Sequence, residues 1–157
     1  MPAVFIHFIH GYLIYGLKGG IFGILPDLLS FGRVGIAITP KRFKYIIKGD
    51  FKKIFKRPED KDIRKIDKLL YKLFHSIVIW YLIYYFSNRD KEFICLFLAI
   101  LIDVFMHERD FFGTPFLFPI SDYKFDGINW NSKLGWIISI LITFIIYKYS
   151  YLFRVNN

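Results

Sequence analysis

Five runs of apolar residues divide this chain, and each is bounded by glycine, proline or charge. Residues 3–17 read as an apolar helix, and Lys18-Gly19-Gly20 supplies a stop and a turn. The shorter run Ile21 to Leu29 follows and carries Pro26 and Asp27. Folded about the glycines as a tight hairpin, these pieces return His10 and Asp27 to similar depth, since each lies seven residues from the turn and a helix rises about 1.5 Å per residue. His7 lies one turn further, on the face of His10. Glycines 11, 16, 19, 20 and 23 let the two pieces approach closely, as small residues do between membrane helices.

The third and fourth runs, residues 73–87 and 93–106, flank the polar turn Ser87-Asn88-Arg89-Asp90-Lys91-Glu92. Neither reaches the roughly 20 apolar residues of a full membrane span, but both extend through amphipathic flanks. An antiparallel pair centred on Arg89 sets His75 and Asp103 at one depth, fourteen residues to either side. Asp103 and His107 stand four apart and share a helical face. The fifth run, from about Leu134 to Leu152, is the best membrane span, with Trp136 and Tyr147, Tyr149 and Tyr151 suited to its interfaces.

Charge is concentrated between the second and third runs. From Lys41 to Lys72 there are thirteen Lys or Arg against five acids, which leaves +8 of the chain's +9 in one segment. The segment is patterned. Thr39-Pro40 marks a helix start, Phe43, Ile46 and Ile47 form an apolar stripe suited to a membrane surface, and Arg57-Pro58-Glu59-Asp60 starts a further helix whose face continues through Ile63, Ile66, Leu69, Leu70 and Leu73. Such a run reads as a cytoplasmic segment under the positive-inside rule, attracted to anionic lipid headgroups. No nucleic-acid partner is expected, because no binding motif accompanies the charge.

Composition agrees with a bilayer setting. Of 157 residues, 55% are apolar and 21% aromatic, too many for an ordinary soluble domain of this length. A single cysteine, Cys95, excludes a disulfide framework and a cysteine zinc site, so metal ligands must come from His and carboxylate. The N-terminus MPAVFIHFIHGYL lacks a basic leader and interrupts its apolar run with two histidines, so no cleavable signal peptide is expected. The fold expected is all-α: one domain, 1–157, forming a small integral-membrane helical bundle. Its parts are an N-terminal helical hairpin (1–30), a basic amphipathic cytoplasmic segment (31–72), a helical hairpin made of a central antiparallel helix pair (73–107), an aromatic loop (108–133) and a C-terminal membrane helix (134–153) in the cell's inner membrane.

A carboxylate within an apolar run is expensive unless a cation, a metal or a water-filled cavity compensates it. Asp27 and Asp103 are the acids most embedded in apolar sequence, and the two hairpins bring them towards all four histidines. His7, His10, Asp27, His75, Asp103 and His107 are therefore candidate ligands for a divalent metal, since imidazole and carboxylate are the donors of catalytic zinc and of di-metal hydrolase sites.

Three passages carry a family likeness. ILPDLLSF (24–31), the Phe74-His75-Ser76 step and LIDVFMHERDFFGTPFLFPISDYKFDGINW (101–130) resemble the LexA-regulated, membrane-bound, metal-dependent hydrolases, a family distantly similar to zinc-dependent phospholipase C and P1-type nucleases. The resemblance implies His7, Asp27, His75, Asp103 and His107 as ligands, with His10 as an additional neighbour. One departure stands out: relatives usually carry histidine four residues before the acid matching Asp103, where this chain has Ala99.

What the resemblance implies is metal-assisted hydrolysis with zinc, or manganese as the other option, on a phosphoester, lipid-like substrate at the membrane surface. Asp27 or Asp103 would bridge metals or act as base, and the loop Asp110 to Asp126 would line the entrance. The competing reading is a non-catalytic integral-membrane protein, structural or partner-binding, that lost a ligand at Ala99. A re-entrant hairpin at 1–30 leaves the N-terminus, the basic segment and the 107–133 loop in the cytoplasm. A single crossing by residues 3–25 would instead carry His7 towards the far side.

Overall fold

The computed structural model describes residues 2–50, 63–87, 90–109, 113–130 and 132–155, without the side chains of residues 2, 3 and 152–155. Among these residues the fold is entirely helical: α1 (Pro2–Ile47), α2 (Lys65–Phe74), α3 (Ile77–Phe86), α4 (Phe93–Met106) and α5 (Lys133–Val155). The helix start expected at Arg57-Pro58-Glu59-Asp60, the middle of the basic segment and Arg89 all lie outside the described residues.

The expected N-terminal hairpin forms, but it turns at a different place. Helical geometry fails at Tyr15 and Gly16, where Gly16 has φ 62° and ψ −148°, a region open essentially to glycine alone. Gly19 and Gly20 have another task. A Cβ on Gly11 would stand 2.1 Å from the Gly19 carbonyl oxygen, and one on Gly23 would stand 2.5 Å from that of His7. The two arms of α1 thus touch backbone to backbone. Because the turn comes early, His7 lies opposite Gly23, and Asp27 lies one turn beyond it rather than level with His10.

Nor does the second arm stop near residue 30. It continues to Ile47 through Pro26 and Pro40, with Ser30 Oγ donating to the Pro26 carbonyl at 2.5 Å and Thr39 Oγ1 to that of Gly35 at 2.8 Å. Thr39-Pro40 is therefore a helix interior, not a start. Past the open end of the hairpin this arm packs on α2 through Phe31, Val34, Ile38 and Tyr71. Arg33 adds an ion pair to Asp67, whose carboxylate also accepts from the Arg64 N–H at 2.7 Å and so closes the first turn of α2.

The helix expected to run unbroken into residues 73–87 is broken at His75-Ser76, and α2 and α3 meet at a bend of 60°. The loop after α4 fills the gap. Ser76 Oγ accepts from the Ile79 N–H at 3.2 Å as an N-cap and donates to the Phe118 carbonyl, while the Ile77 N–H donates to the Phe116 carbonyl at 2.9 Å. Thr114 and Pro115 are fully buried by this insertion, so the start of the loop expected to line an entrance is a structural wedge. Asp110 falls outside the described residues.

α3 and α4 then pair through Trp80, Phe93, Leu96 and Ile100, and Ile102 and Met106 of α4 cluster with Trp130 and with Ile138 and Ile142 of α5. At the turn end of the hairpin, Lys18 Nζ lies 3.0 Å from Glu92. Two helices, Val4–Ile47 and Lys133–Tyr151, are long and apolar enough to cross a membrane, and the bent pair α2–α3 makes a third candidate. Leu134, Ile137, Leu141 and Ile145 all face outward from α5. An apolar face of that size has no place in water, and the chain is a membrane protein.

Candidate metal centre

Four segments converge at the open end of the hairpin. The first arm of α1 contributes His7, the second arm Asp27, the α2–α3 break His75, and the end of α4 Asp103 and His107. His7 Nε2 lies 3.0 Å from Asp103 Oδ1. His75 Nε2 lies 3.5 Å from Asp27 Oδ1 and 3.5 Å from Asp103 Oδ2. His107 Nδ1 lies 3.4 Å from Asp103 Oδ1 and 3.0 Å from the Asp103 carbonyl oxygen. Asp103 is thus the hub, one oxygen facing His7 and His107 and the other facing His75 and, beyond it, Asp27.

Local structure explains these placements. α4 ends at Met106, and His107 takes extended backbone as its C-cap, so its ring turns back over the last turn instead of continuing the helical face. His75 occupies the break itself and is clamped by Tyr71, whose ring stacks on it at 4.0 Å and whose hydroxyl meets Thr114 Oγ1 at 3.1 Å. Trp130 sets its ring edge-on to His7 at 5.7 Å and near His107 at 6.2 Å. Ala99 is buried one turn before Asp103. It offers no donor.

The spacing suits a cation better than a hydrogen-bond network. Separations of 3.5 Å are beyond the roughly 2.7–3.2 Å of an ordinary N–H···O bond. They match the edge of a tetrahedron of about 3.3–3.4 Å that follows from metal–ligand distances of about 2.0–2.1 Å. One ligand atom each from Asp27, His75 and Asp103 lies within 4.8 Å of the others. Both ring nitrogens of His75, Asp27 Oδ2 and His7 Nδ1 are buried without a hydrogen-bond partner. A cation between Asp27 Oδ1, His75 Nε2 and Asp103 Oδ2 would satisfy the orphaned His75 Nε2, a group whose desolvation otherwise costs about 1–3 kcal/mol. The residues fit a divalent metal.

Five of the six candidate ligands come together. His10 does not join them: its Nε2 lies 2.9 Å from Thr143 Oγ1 on α5, because a hairpin turned at Gly16 rotates that position towards the C-terminal helix. Tyr71, Thr114 and Trp130 complete the surroundings and escaped sequence reasoning. Tyr71 was findable, standing four residues before His75 on one face. Trp130 and Thr114 carry no local signal. Comparisons with protein-family models, characterised proteins and solved structures found no match.

Proposed function

We propose that this protein is a membrane-bound, metal-dependent hydrolase acting on a phosphoester of lipid-like character at the membrane surface. The observation that carries the reading is the His75 ring, wholly buried, without a hydrogen-bond partner, and facing two carboxylates at 3.5 Å each. Asp27, His75 and Asp103 would hold the cation, with zinc favoured by the mixed imidazole–carboxylate set and manganese as the other option. A cation there supplies Lewis acidity to a phosphoryl oxygen and makes water a nucleophile near neutral pH. His7 and His107 orient Asp103 through its Oδ1.

Exposure separates the two carboxylates. The Asp103 side chain is 2% exposed and that of Asp27 is 12% exposed, so Asp27 is the better candidate to take a proton from attacking water, and Asp103 serves as ligand. The basic segment begins in the last turns of the second arm of α1, at Lys41, Arg42 and Lys44, past Asp27 on the side away from the Gly16 turn. It would collect anionic headgroups beside the cluster. This reading puts the protein in the inner membrane with that segment in the cytoplasm. Cysteines introduced for Lys41 and Tyr151 then label from opposite sides, and labelling of both from one side removes the topology.

The second reading is a non-catalytic membrane protein in which the same cation only staples three helices. Burial of His75 and Asp103 and alanine at position 99 favour it, since structural metal sites are closed. Elemental mass spectrometry of detergent-purified protein tests both, using wild type, His75→Ala and Asp103→Asn with folding followed by circular dichroism. Near-stoichiometric metal that is lost in both variants, with phosphoesterase activity lost alongside, supports the hydrolase. Metal without activity on phospholipid vesicles favours the staple, and wild type that stays metal-free after reconstitution with zinc and manganese removes both.

A further inference from the structure

The first arm of α1 has a concavity where it faces α5. It is a groove of about 480 Å³ between that arm and α5, within the roughly 300–1,000 Å³ of ligand sites. Ile6, Ile9 and Leu13 form one wall and Ile140, Phe144 and Tyr147 the other. Each set recurs at helical spacing, so each helix turns one continuous apolar face to the space. From Trp136 to Tyr147 the groove runs about 16 Å at 1.5 Å per residue.

Two polar residues of α5, Ser139 and Thr143, also line the groove, and they are satisfied within the protein. Thr143 donates its hydroxyl proton to the Ser139 carbonyl at 2.8 Å, and Ser139 donates to that of Gly135 at 2.8 Å. His10 Nε2 must therefore donate to Thr143 Oγ1, which fixes the helix spacing by a polar tie. The tie and the packing of Ile6 with Ile138 and Ile142 in one apolar cluster join the arm to α5 on either side of the groove. No charged side chain lines the groove.

Position decides the occupant. Both walls belong to candidate membrane spans, so the medium at the groove is hydrocarbon. At one end Ile6 packs with Ile102, Met106 and Trp130, and Trp130 is the ring that flanks His7 and His107. A chain lying in the groove therefore starts beside the metal-ligand cluster and runs towards the Gly16 turn.

We infer that this groove binds one acyl chain of a membrane phospholipid and so presents that lipid's phosphoester to the Asp27–His75–Asp103 cluster. The headgroup half rests on the hydrolase reading; the chain-binding half stands on the groove alone. The half-buried α1 wall and the buried floor at Ser139 distinguish it from lipid lying against an outward helix face.

The test is photocrosslinking of the full chain in phosphatidylethanolamine–phosphatidylglycerol vesicles doped with phosphatidylglycerol carrying a diazirine in its acyl chain, with adducts mapped by mass spectrometry. Adducts concentrate on Ile6, Ile9 and Leu13, the half-buried wall, over Leu141 and Ile145, which face lipid from α5. Ser139→Trp fills the groove and lowers groove adducts by about tenfold, equivalent to displacing roughly two methylenes, with those at Leu141 and Ile145 unchanged. Ile9→Trp repeats the test from the opposite wall if Ser139→Trp fails to fold. Asp103→Asn keeps the chain adducts, so loss of the metal reading leaves the chain site standing. Equal labelling of groove and outward residues in wild type, or adducts indifferent to both tryptophans, overturns the proposal in favour of bulk lipid. Absence of adducts from Ile6, Ile9 and Leu13 with Leu141 and Ile145 still labelled overturns it in favour of a face covered by a second copy.

Discussion

Gly11→Ala is the most informative perturbation of the hairpin. Its new Cβ would stand 2.1 Å from the Gly19 carbonyl oxygen, and this contact involves backbone on both sides. Relief to an ordinary 3.4 Å contact opens the arms by about 1.3 Å, because no side-chain rotation can remove the clash. Overpacking of this kind destabilises by about 1–3 kcal/mol. The displacement also reaches the cluster. His7 lies one turn from Gly11 on the arm that must move, while Asp27 is on the other arm. An opening of that size takes the His7–Asp103 contact from 3.0 Å out of hydrogen-bonding range, and loss of such an orienting partner typically weakens metal binding about 10–100-fold. Chelator competition for zinc and thermal melting in detergent report both effects. Gly32→Ala and Gly35→Ala serve as controls, since a Cβ there meets nothing within 4 Å, and the added helix propensity stabilises by about 1 kcal/mol. Gly11→Ala with wild-type melting and wild-type zinc affinity would refute the close-contact argument and the coupling of hairpin to site.

Two further outcomes follow from particular contacts. Tyr71→Phe removes the hydroxyl contact with Thr114 and lowers stability by about 1 kcal/mol with metal content kept; Tyr71→Ala also removes the stack on His75 and loses metal, which elemental analysis and melting together distinguish. Burial pushes the Glu92 carboxyl up, but its own backbone N–H and the Lys18 ammonium outweigh burial and hold it below the ordinary glutamate value of 4.5. A carboxyl lowered on folding stabilises above its unfolded value and stops doing so as pH falls through its folded one. Glu92→Gln is therefore less stable than wild type above about pH 4.5 by under about 1 kcal/mol, and the melting difference closes on further acidification.

Apolar periodicity was enough to read an all-helical membrane bundle, because helical segments satisfy their own backbone and their facing residues repeat every turn. It also paired His75 with Asp103, since equal distances from a polar turn mean equal depth in any antiparallel pair. The sequence alone therefore determined which residues had the chemistry to meet and, for the central helices, at what level. Where the chain turns was decided only by tertiary contact. Gly16 and the Gly19-Gly20 pair look alike in one dimension, yet Gly16 supplies a positive φ while Gly19 admits the Gly11 backbone and Gly20 the Phe8 ring, and this choice moved His10 from the cluster to Thr143. The break at His75-Ser76 had the same cause. No local residue ends that helix strongly, but carbonyls of Phe116 and Phe118, some forty residues away, satisfy the groups exposed by a bend, and a buried imidazole with free nitrogens is left beside two carboxylates.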